Sequence, residues 1–218
     1  MRSFLFLSLC LLLQPSCIHA FAATRPQEMF QDLLLSRRTI NEFEPELPNY
    51  WEYYLEQAIE AATFAPNHKR TEPWRFHLLG SEAIQRVCEL NAELVAAKKG
   101  PEAGQKKLKR WLAMPGWLVV TQVMDQADQN GNIPTSLARE DYVACCCAVQ
   151  NLCVSLHANG IGTKWTTGPV NFDERFGEAV GLSENEVVVG TIWFGKPVDC
   201  PQPPKKRLKI NEVFVKHS

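Results

Sequence analysis

Two groups of polar side chains in the sequence have the chemistry to bind an anionic, planar ligand. Arg37, Arg38 and Thr39 follow the first predicted helix, and two guanidinium groups beside a hydroxyl can bind phosphate oxygens. The structural alternative is a helix C-terminus stabilised by cationic side chains. His68 and Lys69 lie in the loop "APNHKRTEPWRF", where they form either a polar rim for an acceptor-rich ring or a solvated surface turn.

Two later segments could complete such a site. In "NGIGTKWTTG", Trp165, Thr166 and Thr167 follow a sharp glycine turn. They form either a wall of backbone and hydroxyl groups beside a ligand or a plain connection between a helix and a strand. The basic tail "PPKKRLK", which includes Lys205 and Arg207, is either solvated or a second part of a phosphate clamp.

Three consecutive cysteines, Cys145, Cys146 and Cys147, predict neither a metal site nor a disulfide framework. Structural zinc sites usually separate paired cysteines by two to four residues. Neighbouring residues on a helix point about 100° apart, so these thiols do not converge. We interpret them as small buried residues of a tightly packed helix, and buried free thiols favour a reducing compartment.

Apolar periodicity predicts the helices that must position these groups. The first helix begins after Thr24, and the second is capped by Asn49. Residues 142–158 are apolar on nearly every face, which predicts a buried central helix. Residues 100–110 are charged and are predicted to be mobile, unless Leu108, Trp111 and Leu112 dock the segment. Two further helices are predicted. One covers residues 81–99, and the other is a short helix with Asn171 as its N-cap.

Three apolar runs predict the strands of a small sheet, over residues 74–79, 117–123 and 186–195. Helices and strands alternate irregularly along the chain. The sequence contains no glycine-rich phosphate loop, nucleophile elbow or H-E-x-x-H pattern. We therefore predict an α+β domain in which helices pack around the sheet.

The bulk composition suits one globular domain, which we assign to residues 25–218. The chain has 218 residues, of which 45% are hydrophobic, and that is enough for a real core. A net charge of −1 argues against nucleic acid or a membrane surface as a partner.

Residues 1–22 are predicted to be a signal or targeting sequence. An early arginine precedes a short apolar run and a small-residue region, which is typical of a secretory signal and too short to span a membrane. The Ala20-Phe21 junction resembles the one in bipartite pre-sequences of algae with complex plastids. The expected route is secretory entry, ending in such a plastid or in a secretory or extracellular location.

The order of these motifs resembles the FMN-dependent nitroreductase family, in its small single-domain bacterial-type branch. The resemblance rests on "SRRT", "AATFAPNHKRTEPWRFHLL", "AVQNLCVSLHANGIGTKWTTG" and "VVVGTIWFGKP", and it extends over residues 29–197. It implies a nitroreductase-like fold with a mainly antiparallel sheet. It also implies a homodimer with FMN at two interface sites and NAD(P)H as the electron donor.

The resemblance also assigns residues to the cofactor. It places Arg37, Arg38 and Thr39 at the phosphate and ribityl groups, His68 and Lys69 at the flavin, and Trp165, Thr166 and Thr167 along its other side. Lys205 and Arg207 would add phosphate contacts. Three positions depart from the branch: Phe64 and Thr166 stand where arginine is common, and Glu72 where glutamine is common.

The expected activity is a two-step exchange from NAD(P)H to a small oxidised acceptor of the nitroaromatic or quinone type. No dedicated catalytic side chain is expected, because the cofactor performs the redox chemistry. Lys69 and His68 are candidates for stabilising negative charge on the reduced ring. The alternatives are another reaction on the same fold, such as dehalogenation or dehydrogenation, and a non-catalytic interaction protein.

Overall fold

The computed structural model describes residues 26–124, 135–199 and 207–217. The helices are α1 (Pro26–Ser36), α2 (Trp51–Thr63), α3 (Ser81–Lys99), α4 (Pro101–Leu112), α5 (Thr135–Ala158), α6 (Phe176–Val180) and α7 (Ile210–Val213). The strands are β1 (Trp74–Leu78), β2 (Gly116–Val123), β3 (Gly162–Thr166) and β4 (Glu186–Gly195). The predicted signal sequence, Thr24 and Lys205 lie outside the described residues. No described helix is long and apolar enough to cross a membrane.

The four strands form one antiparallel sheet in the order β1-β2-β4-β3. β2 and β4 take the central positions because both are apolar along most of their length and can be buried on two faces. Side chains alternate between the faces. Leu118 and Ile192 pack in the core beside α5 and α2, whereas Trp117 and Trp193 pack in a second core with α3, α4 and α6. The predicted α+β layering is confirmed.

α5 differs from the prediction of a helix buried on every face. Ala148, Val149 and Leu152 are fully buried, but Val143 is 52% exposed and Gln150 is also exposed. The sheet and α2 cover only part of the helix circumference, so an exposed stripe remains in the single chain.

The prediction of mobility for residues 100–110 was wrong, because this segment belongs to α4. Pro101 occupies the first turn of α4, where a missing N–H costs nothing. Gly104 permits close packing against α3, since a Cβ there would lie 2.7 Å from the Ala92 carbonyl oxygen. Trp111 then anchors the far end of α4, stacking edge-on against Trp193 at a centroid distance of 5.0 Å.

Two predicted helix caps were also wrong. Tyr50, in a left-handed conformation with φ of 60°, occupies the N-cap of α2 in place of Asn49. Asn171 is buried, and its Nδ2 donates a hydrogen bond to Thr191 Oγ1 at 2.7 Å. α6 starts later, at Phe176. The Asn171 side chain therefore binds a buried hydroxyl of β4 and does not cap a helix.

A polar network joins β1, β2 and β4 across the sheet. His77 Nε2 lies 2.6 Å from Glu186 Oε2, and the Thr121 hydroxyl donates to the same oxygen. Burial by itself would raise the pKa of Glu186, but the hydrogen bonds from Thr121 and His77 outweigh it and lower that pKa below its usual value of 4.5.

This network should stabilise the fold at neutral pH and lose its effect in acid. Because the folded pKa of Glu186 lies below its unfolded value, the stabilisation is present above about pH 4.5 and disappears as the pH falls through the folded pKa. Urea unfolding at several pH values should show wild type losing more stability in acid than Glu186→Gln. Glu184→Gln, at an exposed position in the preceding turn, should follow wild type. Equal acid sensitivity of wild type and Glu186→Gln would contradict this account.

Candidate functional site

A cavity of about 420 Å³ collects four of the residues that the sequence assigned to a ligand site. The segment after α1 contributes two of them, the end of β3 contributes two, and α5 forms the third wall. The lining residues are Arg37, Thr39, Val149, Gln150, Cys153, Trp165 and Thr167. We call this the Arg37 cavity.

Backbone pairing with the edge of β3 fixes Arg37 and Thr39 at the cavity. Thr39 forms a parallel bridge with Thr163, and the Ile40 amide donates to the Thr163 carbonyl oxygen at 3.0 Å. The approach is close because residue 162 is glycine, where a Cβ would lie 2.6 Å from Ile40 Cγ1. The segment after α1 therefore acts as an additional edge strand.

Arg38 does not line the Arg37 cavity. Its Nη1 donates to the carbonyl oxygens of Leu35 at 2.5 Å and of Arg37 at 2.7 Å. These contacts satisfy carbonyls at the C-terminus of α1, as the structural alternative supposed. Its Nε is buried and has no partner among the described residues.

β3 directs its side chains alternately to two sides of the sheet. Trp165 and Thr167 line the Arg37 cavity, whereas Thr166 lines a different cavity beside Lys164. The Trp165 indole lies directly over Gly190 of β4, where an added Cβ would collide with the indole nitrogen. Gly190 thus provides the space that holds Trp165 in the cavity wall.

His68 lies in a different cavity, of about 740 Å³, against the N-terminal half of α5. Its Nε2 is 4.0 Å from Glu140 Oε2. The other lining residues are Pro66, Asn67, Ser136, Arg139, Glu140, Val143, Ala144 and Cys147. We call this the His68 cavity.

The loop that carries His68 is held in an unusual conformation. Thr71 Oγ1 donates to the buried Asp141 of α5 at 2.5 Å, and Asn67 Oδ1 accepts from the Glu72 amide at 2.8 Å. Lys69 and Glu72 have φ values of 57° and 46°, and both side chains are exposed and line neither cavity. The sequence therefore placed Lys69 in the right loop, but the single chain does not direct it to the Arg37 cavity.

The two cavities flank the same exposed stripe of α5. Val143, Cys147 and Gln150 are spaced by four and three residues, which places them on one helix face. The His68 cavity lies at the N-terminal end of this stripe and the Arg37 cavity at the C-terminal end. One copy of the chain consequently does not bring the two predicted groups into one site.

Comparison with known proteins identifies the family. The model described as "Nitroreductase family" matches residues 34–196. The chain belongs to the nitroreductase family. A Bacillus subtilis protein named "Putative NAD(P)H nitroreductase YfhC" is 31% identical over 193 residues, spanning 86% of this chain and 93% of that relative.

Solved structures of nitroreductases share the fold. A nitroreductase-like family protein from Bacillus cereus is 28% identical, with a TM-score of 0.71 over 86% of this chain and 95% of that one. A "putative nitroreductase in complex with FMN" from Exiguobacterium sibiricum is 21% identical, with a TM-score of 0.66 over 86% and 97%. The predicted nitroreductase-like fold is confirmed.

Sequence reasoning missed the contribution of α5 to the Arg37 cavity. Val149, Gln150 and Cys153 form a cavity wall, and His157 follows one turn later with Nε2 at 2.9 Å from Ser36 Oγ. Burial, followed by the positive charges of the neighbouring arginines, lowers the pKa of His157. The imidazole therefore stays neutral at pH 7. The i, i+4 spacing of positions 149, 153 and 157 is the signal that could have identified them.

Of the two predicted tail contacts, Lys205 lies outside the described residues. Arg207 is exposed and does not line the Arg37 cavity. Among the described residues, no three His, Cys, Asp or Glu side chains are grouped so that they could hold a metal ion.

Substitution of Gly190 should disturb the wall of the Arg37 cavity. Gly190→Ala forces the Trp165 indole to move, and overpacking of this kind costs about 1–3 kcal/mol. We expect a lower free energy of unfolding in urea and stronger quenching of tryptophan fluorescence by acrylamide. Gly168→Ala is the control, because an added Cβ there meets nothing within 4 Å. Identical behaviour of the two variants would show that Gly190 does not position Trp165.

Proposed function

We propose that the protein is an FMN-dependent oxidoreductase that transfers electrons from NAD(P)H to a small oxidised acceptor, of the nitroaromatic or quinone type, in two steps. The proposal rests on one observation. Pairing with the edge of β3 brings Arg37 and Thr39 into the same cavity as Trp165 and Thr167. Membership of the nitroreductase family supports the same activity.

The residues of the Arg37 cavity fit FMN. The guanidinium of Arg37 and the hydroxyl of Thr39 suit a phosphate group. Arg38 lies outside the cavity lining, and its buried Nε has no partner among the described residues. Trp165 offers an apolar wall, and Thr167 offers a hydroxyl, to the rest of the cofactor. Lys205 and Arg207 are candidates for further phosphate contacts from the tail.

FMN, when bound, would supply the redox chemistry that links NAD(P)H to the acceptor. The chain positions the cofactor and sets its electrostatic surroundings. Arg37 provides positive charge, while the neutral His157 beside it adds no further positive charge. Val149 and Cys153, both buried, exclude water from one side of the cavity. Gln150 adds an amide that can donate and accept hydrogen bonds.

The exposed apolar surface supports a homodimer. Val143 on the α5 stripe is 52% exposed, Phe64 before the His68 loop is 80% exposed, and α1 has no buried residue at all. Exposed apolar residues on α1, on α5 and at the end of α2 are typical of an interface. In a two-fold dimer the same surface packs on itself.

Such packing would complete the cofactor site across two chains. When the two-fold axis crosses the α5 stripe near Cys147, the two helices run antiparallel. The His68 cavity of one copy then faces the Arg37 cavity of its partner. His68 and Lys69 would reach the cofactor held by the other chain, and the departures at Phe64 and Glu72 would act at this interface.

The proposed function is tested by the absorbance spectrum of the purified protein. We expect a yellow protein, or one that becomes yellow with added FMN, whose visible absorbance is bleached by NAD(P)H under anaerobic conditions. Arg37→Ala should weaken FMN binding by about tenfold or more, since it removes a charged hydrogen-bond donor. Lys106→Gln, on the exposed face of α4, is the control and should bind FMN like wild type.

A protein that does not bind FMN would overturn the proposal. If FMN binds but NAD(P)H does not reduce it, the reductase reaction is wrong, and dehalogenation or dehydrogenation on the same fold becomes the reaction to assay.

A further inference from the structure

A third cavity, of about 320 Å³, lies between α3, α4 and the outer side of β3. Trp193 and Trp111 form its floor, and both belong to the core on the face of the sheet opposite α5. Lys164 and Thr166 of β3 line it, whereas Trp165 and Thr167 line the Arg37 cavity. The sheet therefore separates this α3–α4 cavity from the proposed flavin site.

The α3–α4 cavity carries an unusual concentration of positive charge. No carboxylate oxygen among residues 26–124, 135–199 and 207–217 lies within 4.0 Å of any of the five cationic groups that line it. Burial, followed by repulsion from Arg110, lowers the pKa of both Lys107 and Lys164. The five cationic residues are Lys98, Lys99, Lys107, Arg110 and Lys164.

Two buried hydrogen-bond donors in the same cavity lack acceptors. Asn91 and Trp193 are each only 4% exposed, and neither Asn91 Nδ2 nor Trp193 Nε1 has a partner within the part of the chain that is described. A buried donor left unpaired costs about 1–3 kcal/mol. The indole nitrogen can only donate, so its missing partner must be an acceptor.

The tryptophan floor also positions two of the cations. Lys107 Nζ lies 5.3 Å from the centre of the Trp111 ring, and Lys164 Nζ lies 5.3 Å from the centre of the Trp193 ring. Lys164 is further held by Asn41 Oδ1 at 2.8 Å. Contacts with ring faces hold both ammonium groups at the cavity without neutralising them.

We propose that the α3–α4 cavity is a binding site for a small phosphate-bearing anion, held by its five cationic side chains and by the unpaired donors of Asn91 and Trp193. The unprotonated oxygens of a phosphate group are strong acceptors, and the group carries a charge of about −1.5 to −2 at neutral pH, which matches this donor set. The volume exceeds what one phosphate group needs, so a diphosphate or a phosphomonoester suits it better. The site goes beyond the proposed flavin chemistry and does not depend on it.

Calorimetric titration of the full chain with pyrophosphate, in about 0.15 M sodium chloride, tests the proposal. We expect saturable binding of one pyrophosphate per chain at this cavity. Lys107→Gln and Arg110→Gln should each weaken it about tenfold, as the loss of a charged hydrogen bond predicts. Lys106→Gln and Lys109→Gln remove the same charge from exposed positions on α4 and should change the affinity by less than about twofold.

Further titrations show that pyrophosphate does not bind in the Arg37 cavity and identify the class of ligand. Binding should persist in Arg37→Ala, which lacks the main cation of the other cavity. Inorganic phosphate and glycerol 3-phosphate, titrated in parallel, show whether a second phosphate or an ester group contributes to the affinity.

A second measurement reports on the cavity without altering its charge. In a ¹H–¹⁵N spectrum, the indole resonance that Trp193→Phe removes should shift with pyrophosphate and not with sodium chloride at equal ionic strength. An unshifted Trp193 indole would overturn the proposal. So would binding that is lost in Arg37→Ala, or that Lys106→Gln weakens as much as Lys107→Gln.

Discussion

Pairing of the chain after α1 with the edge of β3 is the constraint on which the candidate site depends. Ile40 donates to the Thr163 carbonyl, and Gly162 leaves room for the Ile40 side chain. Without this pairing, Arg37 and Thr39 would follow a helix that has no buried residue of its own. β3 also carries Trp165 into the Arg37 cavity, and Thr167 follows directly after its end. One strand therefore positions both the proposed phosphate contacts and the proposed ring contacts.

β3 also contributes side chains to two chemically different cavities, the Arg37 cavity and the α3–α4 cavity. Its alternation sends Trp165 toward α5 and Lys164 toward the tryptophan floor under α3 and α4. Each cavity contains positive charge, but different residues supply it, and the sheet lies between the two. A substitution in one cavity can therefore be used as a control for the other.

Elements whose own residues show a clear apolar pattern were predicted correctly from the sequence. The apolar runs of β2 and β4 and the periodicity of α3 correspond closely to the observed elements. The α4 prediction failed because high charge was interpreted as mobility, whereas Gly104 and Trp111 form the contacts that hold the helix. Asn171 failed as a cap because its partner, Thr191, is distant in sequence.

The candidate site was predictable to a similar extent. Arg37 and Thr39 came from the motif, and the structure brings them to Trp165. The separation of His68 from Arg37 could not be inferred from local motifs, because it depends on where each segment packs along α5. The α3–α4 cavity was missed because Asn91, Lys107 and Lys164 come from three distant segments with no shared motif.

We propose that two copies of the chain complete each cofactor site. Mixed dimers test this proposal most directly. Arg37→Ala and His68→Ala chains, co-expressed with different tags, would each form homodimers with two damaged sites. If His68 acts across the interface, the purified heterodimer holds one site with both changes and one intact site. It should then bind FMN to about half the wild-type level, with wild-type affinity at that site. A heterodimer with no site of wild-type affinity, whose FMN binding is the mean of the two parent homodimers, would show that Arg37 and His68 act within one chain, and would contradict the account.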